Sequence, residues 1–191
     1  MITIVSGLPR SGTSLMMQML AAGGMPVLSD GERQADVDNP RGYFEWERIK
    51  LLPKEPDCIS EAEGKVVKVI SQLLFALPAG REYRVVFMQR PLAEVVASQT
   101  EMIRRRGTSG AALAPAALIA GLGAHLNQLN AWLRDKVNIS VQRVEHHDAL
   151  GEPLRISEWI QQFLNYPLDV IAMSQQIDQS LYRQRSPSKP T

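Results

Sequence analysis

The chain has 191 residues, 45% of them hydrophobic, and a formal net charge of +1. This length and composition predict one globular domain with a full core. A charge so close to zero excludes a strongly basic surface for nucleic acid, so any anion must be recognised by a few placed arginines and lysines.

A cytoplasmic location is expected from the cysteine content and the apolar patterning. Cys58 is the single cysteine, which excludes an internal disulfide and favours a reducing compartment. The first residues lack a basic leader, and no later run approaches the roughly 20 apolar residues that a membrane span needs. We therefore expect no insertion into membranes.

Strand and helix patterns alternate along the sequence. Short β-branched or apolar runs predict strands at residues 2–5, 66–70, 85–87 and 139–144. Apolar residues at helical spacing predict helices at residues 15–20, 92–106, 115–136 and 153–164. This alternation predicts an α/β fold of three layers, with a central, mostly parallel sheet flanked by helices on both faces.

Two segments do not follow this alternation. Residues 29–64 are charged and rich in Asp, Glu, Pro and Gly, which predicts loops and short helical pieces over the carboxyl ends of the strands. Residues 183–191, RQRSPSKPT, are basic and lack apolar periodicity, which predicts a disordered tail. The expected domain therefore covers residues 1–182.

The loop GLPRSGTS, residues 7–14, has the frame of a phosphate-binding loop, G-x-x-x-x-G-K-[ST], with Thr13 in place of the lysine. A strand that ends in such a loop and leads into a helix directs backbone N–H groups and the helix dipole at one point, which suits phosphate oxygens. Arg10 is the only cation of the loop. The pattern predicts a P-loop NTPase-like fold whose loop charge has moved from the usual lysine to Arg10.

The stretch GLPRSGTSLM resembles the 5′-phosphosulfate loop of sulfotransferases, most closely that of tyrosylprotein sulfotransferases and their bacterial relatives. In that family the donor is 3′-phosphoadenosine 5′-phosphosulfate (PAPS), and 3′,5′-adenosine bisphosphate (PAP) is the product. The resemblance implies that Arg10 holds the 5′-phosphosulfate together with the loop amides and hydroxyls. The implied donor-binding residues of this loop are Gly7, Pro9, Arg10, Ser11, Gly12, Thr13 and Ser14.

Two further elements carry the resemblance. In MQRPLAEVVASQ, Arg90 closes a strand and Ser98 follows eight residues later, as in the family's 3′-phosphate element. This implies that Arg90 and Ser98 hold the 3′-phosphate, for which a guanidinium offers a bidentate fork. In VVKVI, Lys68 stands where tyrosylprotein sulfotransferases have a functional lysine, near the strand end where ligands bind in open α/β sheets. We therefore expect Lys68 to face the donor.

The general base is not assigned by these motifs. Cytosolic sulfotransferases have a catalytic histidine two residues after the lysine, where this chain has Ile70. Two glutamates in the segment 29–64 remain candidates. Glu32 lies close to the spacing of the glutamate that serves tyrosylprotein sulfotransferases. We prefer Glu45, because a turn at residues 39–42 would present it and its aromatic neighbours would desolvate it, which improves a base.

Other residues give weaker signals. The adenine contacts are unassigned, with Arg183 and the loop after Arg104 as candidates. His146 and His147 follow the last strand, and on an extended segment they would point to opposite faces. Because no other His or Cys has metal-site spacing, we expect no metal. We expect His125 to be an ordinary helix residue.

The sequence thus predicts a PAPS-dependent sulfotransferase that acts on a hydroxyl or amine, with Arg10 and Lys68 neutralising charge at the transferred group. A small-molecule or nucleotide kinase shares the strand, loop and helix. It would use Mg²⁺ held by a strand-end Asp, and neither VVKVI nor RVVFM ends in one. A nucleotide-binding module without activity is the third possibility. Neither the acceptor nor the oligomeric state follows from the sequence.

Overall fold

The computed structural model describes residues 1–32, 35–36, 39, 42–105 and 114–178. The strands are β1 (Ile2–Gly7), β2 (Val27–Leu28), β3 (Val66–Lys68), β4 (Tyr83–Gln89) and β5 (Ile139–Glu145). The α-helices are α1 (Thr13–Ala22), α2 (Leu92–Arg105), α3 (Pro115–Arg134), α4 (His146–Gly151), α5 (Pro153–Leu164) and α6 (Val170–Ser174). Three 3-10 helices span Glu47–Leu51, Pro56–Ala62 and Ser71–Ala76. The predicted tail at 183–191 lies outside the described residues, as does Arg183.

Within the described residues, the strands form a five-stranded sheet in the order β2-β3-β1-β4-β5, and every neighbouring pair is parallel. The predicted α/β fold with a central sheet and flanking helices is confirmed. The sequence missed β2, which has two residues and is too short to show a period of two. It also placed the end of β3 at Ile70, whereas the strand ends at Lys68.

The sheet is buried on both faces. Successive residues alternate between two cores: Ile4 packs in one and Val5 in the other, as do Val85 and Val86 in β4. The first core is completed by α3 and the three 3-10 helices. The second is completed by α1, α5 and α6 and contains the buried methionines Met16, Met17, Met19, Met25, Met88 and Met173. The helices therefore form the outer two of three layers.

The chain after β5 does not stay extended. His146 and His147 are the first two residues of α4, so the expectation that they lie on an extended segment is wrong. They still face different surroundings, because His146 is buried and the His147 side chain is 69% exposed. Asp148 stands in the first turn of α4, where an acidic residue favours a helix.

The topology places the chemistry-bearing residues at one edge of the sheet. Because β3, β1 and β4 are adjacent and parallel, their carboxyl ends lie side by side. Lys68 ends β3, the glycine loop follows β1, and Arg90 follows β4. Within the described part of the chain, no helix has the length and apolar character needed to cross a bilayer.

Candidate functional site

A cleft of about 400 Å³ opens at this edge. The predicted site residues that line it are Pro9, Arg10, Gly12, Thr13, Ser14, Glu45, Lys68 and Arg90. Four others do not belong to its lining, namely Gly7, Ser11, Glu32 and Ser98. The structure therefore brings residues from the loop, from β3, from β4 and from the segment 29–64 to one cavity.

The loop backbone requires its glycines. Gly7 and Gly12 have φ angles of 149° and 101°, and Gly12 precedes the first residue of α1. A Cβ on Gly7 would lie 2.7 Å from the carbonyl oxygen of Met88, and one on Gly12 would collide with the ring of His146. Side chains larger than hydrogen at these positions would therefore displace neighbours and strain the backbone.

Arg10 also has a left-handed backbone, with φ of 75°. Such a conformation costs a non-glycine residue about 1 kcal/mol or more and persists only when its surroundings hold it. Arg90 Nη1 donates to the Arg10 carbonyl oxygen at 3.2 Å, and Arg10 Nε donates to Ser98 Oγ at 3.0 Å. Both ends of Arg10 are therefore fixed by residues from the element that the sequence assigned to the 3′-phosphate.

Arg90 itself is held in a buried ion pair. Its Nε donates to Glu94 Oε2 at 2.9 Å, and the two side chains are 9% and 5% exposed. Arg90 and Ser98, predicted to share one phosphate, contact each other through Arg10 rather than directly. Glu94 was not assigned a role from the sequence, although it lies four residues after Arg90, in the first turn of α2.

Lys68 links the loop to the segment 29–64. Its Nζ donates to Ser14 Oγ and to the Tyr43 carbonyl oxygen, each at 3.0 Å, and lies 3.7 Å from Glu45 Oε1. The residue is only 9% exposed. A buried ammonium requires such partners, because unsolvated charge is unfavourable. Lys68 therefore lies between the glycine loop and a carboxylate.

The two candidate bases are in different places. Glu45 lines the cleft beside Lys68 and is 25% exposed at its side chain. It follows a turn in which the Gly42 N–H donates to the Asn39 carbonyl oxygen at 3.1 Å. Glu32 is exposed, and its backbone N–H donates to Asp30 Oδ1 at 3.1 Å. The geometry therefore favours Glu45 over Glu32.

His146 is a cleft residue that the sequence did not assign to the site. It is 8% exposed and lines the cleft with its ring against Gly12. Burial, followed by the positive charge of Arg90, lowers the pKa of His146 to about 4. Its imidazole is therefore neutral near pH 7. Its position directly after the last strand, at the carboxyl edge of the sheet, was the available signal.

The chemistry of this site fits a bound anion. The Ser11 hydroxyl is buried and, within the described residues, has no hydrogen-bond partner. Ser11 and Arg90 also line a second cavity of about 280 Å³. Together with three basic side chains and the open N-terminus of α1, this donor set suits phosphate or sulfate oxygens. Among the described residues, no three His, Cys, Asp or Glu side chains are grouped as metal ligands would be.

Part of the cleft is apolar. The lining of this part includes Trp46 and Ile49, which follow Glu45 in the sequence, and Ile70 and Leu73, which follow Lys68. Ile70 occupies the position of the cytosolic sulfotransferases' histidine and is 39% exposed. Arg10, Lys68, Arg90 and the glycine loop thus define a polar side of the cleft. The apolar side chains offer an uncharged surface near Glu45 and Lys68.

Comparison with known proteins identifies the fold. The sequence matches none of the protein-family models and none of the curated proteins with which it was compared. The structure is similar to the sulfotransferase domain from the curacin biosynthetic pathway, with a TM-score of 0.54 and 16% identity over 98% of this chain and 92% of that chain. It is also similar to a sulfotransferase from Alicyclobacillus acidocaldarius, with a TM-score of 0.53 and 12% identity over 88% and 83% of the two chains. The chain therefore has the fold of sulfotransferases.

Proposed function

We propose that this protein is a sulfotransferase that moves the sulfuryl group of PAPS to a hydroxyl or amine acceptor. One observation carries the proposal: Lys68 Nζ lies 3.0 Å from Ser14 Oγ of the anion loop and 3.7 Å from Glu45 Oε1. A cation between an anion cradle and a carboxylate is the arrangement that transfer of an anionic group to a nucleophile requires. The sulfotransferase fold and the phosphosulfate-loop motif support the same reaction.

Each residue has a role in this proposal. The bond between the sulfur and the donor's phosphate oxygen breaks while the acceptor's oxygen or nitrogen bonds to the sulfur, and PAP leaves. Arg10 and the amides at the start of α1 hold the leaving phosphate, and Lys68 neutralises the sulfuryl and leaving oxygens. Glu45 accepts the acceptor's proton. Arg90 binds the 3′-phosphate, with Ser98 fixing Arg10 beside it.

A kinase is less well supported. Phosphoryl transfer from ATP uses Mg²⁺ held by a loop hydroxyl and a strand-end Asp. In this chain β3 ends in Lys68, and β4 ends in Gln89 with Arg90 after it. A cation at one strand end and a guanidinium after the other favour anion binding without a metal. The acceptor screen should include phenols and apolar alcohols beside peptides, because Ile49, Ile70 and Leu73 present apolar surface to the cleft.

The donor assignment predicts a preference for PAP over ADP. Only PAP has a 3′-phosphate for Arg90, and a charge-assisted contact of this kind contributes about 1.5–3 kcal/mol, or roughly 10- to 100-fold in affinity. Isothermal titration calorimetry with both nucleotides in the presence of EDTA measures the preference. Equal affinities, or ATP binding that is tighter and needs Mg²⁺, would contradict the proposal and favour a kinase.

The position of the base predicts different effects for two glutamates. Glu45→Gln should lower turnover by about 10²–10⁴-fold, because the amide cannot accept the proton, and PAP affinity should change little. Glu32→Gln is the matched control, since Glu32 is exposed and outside the cleft lining. Single-turnover transfer from labelled PAPS to an acceptor found by screening measures both. A slow Glu32→Gln variant beside an active Glu45→Gln variant would reverse the assignment.

A further inference from the structure

His146 combines three properties that the proposed reaction does not yet use. It begins α4 directly at the carboxyl edge of the sheet, is 8% exposed and lines the cleft. Its Cδ2 lies 2.4 Å from the position that a Cβ on Gly12 would take, so the imidazole packs on the residue that precedes the first turn of α1. This is where an anion on the loop would meet the backbone N–H groups of the helix.

The charges around His146 come from three elements. Arg90 lies at the end of β4, Glu94 in the first turn of α2 and His147 beside it in α4. Burial and the Arg90 charge both lower the pKa of His146, His147 adds to this, and Glu94 partly opposes it. The ring is thus kept neutral by its desolvation and by a neighbouring cation. An anion placed beside Arg90 and the loop opposes the effect of the Arg90 charge and favours the protonated ring, while the burial remains.

We propose that His146 takes up a proton from solvent when an anion binds in the phosphate loop, and so becomes a further cationic ligand of that anion. The geometry supports this because the ring packs against Gly12 of the loop and lines the same cleft as Arg10 and Arg90. A charged imidazole can donate from both ring nitrogens, whereas a neutral one donates from a single nitrogen. The inference rests on anion binding at the loop, which the proposed function includes, but not on sulfuryl transfer.

Nuclear magnetic resonance can observe the proton directly. The chain has three histidines, so their ring C–H signals can be assigned with His125→Asn and His147→Asn variants. The wild-type signals are followed between about pH 3 and pH 8 without ligand, with inorganic sulfate and with PAP. We expect the titration midpoint of His146 to rise by about one pH unit or more when either anion saturates the site.

A calorimetric measurement gives an independent result. In buffers of different ionisation enthalpy near pH 5, wild-type protein should take up protons on binding PAP, and His146→Asn should take up fewer. The affinity of wild type relative to this variant should rise as the pH falls, by at most about tenfold per pH unit. His147→Asn, which replaces the adjacent but exposed imidazole, is the matched control and should behave as wild type.

The outcomes separate this inference from the proposed function. A His146 midpoint that stays in place under both anions overturns the inference. PAP binding without a change at His146 overturns it as well, while leaving the donor assignment intact. A rise with sulfate, together with no detectable PAP binding in the calorimeter, supports the inference and contradicts PAPS as the donor. The titration of the wild-type protein tests the inference even if His146→Asn fails to fold.

Discussion

Lys68→Met is expected to lower sulfuryl transfer by about 10²–10³-fold, the usual loss when one preorganised charge is removed from a reacting group. Methionine keeps much of the length and apolar volume of the side chain but removes the ammonium that lies between Ser14 and Glu45. The loss should appear mainly in kcat, because the loop amides and Arg10 still hold the donor. Single-turnover transfer from labelled PAPS measures the effect.

Lys65→Met is the control for this substitution. Lys65 lies just before β3, at the other end of the strand, and is not part of the cleft lining. Its replacement should leave transfer unchanged. PAP binding followed by thermal shift shows that both variants are folded. If the Lys68→Met enzyme were unimpaired, Lys68 would not have the role in transfer on which the proposed function depends.

Arg90→Met is expected to reduce the free energy of unfolding by about 3–5 kcal/mol, because it leaves the buried Glu94 carboxylate without its ion-pair partner. PAP binding should be lost in the same variant. Adding Glu94→Leu removes the buried charge and should recover most of the stability, since an apolar pair can replace a buried ion pair at little cost. The double variant should still fail to bind PAP. Urea denaturation and calorimetry measure the two effects separately.

An exposed pair on the same helix is the control for stability. Arg104 donates to Glu101, and the Arg104 side chain is 72% exposed. Arg104→Met should change the free energy of unfolding very little, because solvent screens an exposed ion pair. If Arg90→Met were equally mild, the Arg90–Glu94 pair would not be a structural element of the site. If the double variant bound PAP normally, Arg90 would not be its ligand.

The sequence predicted those parts of the fold and site that depend on local patterns. The glycine loop, Lys68 and Arg90 were found because each stands at a strand end with its own sequence signal, and parallel strands bring such ends together. The helices α2 and α3 begin where they were predicted to begin, and α3 ends two residues earlier than predicted. Helix ends are the least determined part of such a pattern.

The parts that the sequence did not predict depend on contacts between distant segments. Arg90 and Ser98 were expected to meet at one phosphate, but Ser98 bonds to Arg10, which is 88 residues away in the chain. The burial that controls His146 comes from its packing on Gly12, which no local pattern around His146 contains. From the sequence, Glu45 could be preferred to Glu32 only because of its neighbouring residues. The distance between Glu45 and Lys68 depends on how the segment 29–64 folds back over the sheet, which no local pattern contains.

The layer of methionines beneath α1 has a consequence for how the loop could adapt to a ligand. Met16, Met17 and Met19 of α1 pack with Met25, Met88 and Met173, and all are buried. A thioether side chain has three rotatable bonds and a polarizable sulfur, so it refills an altered space more readily than branched side chains do. The helix that presents the anion-binding N–H groups thus rests on a compliant surface. Small shifts of its first turn around an incoming anion can be absorbed there, while the β-branched strands of the sheet stay in place.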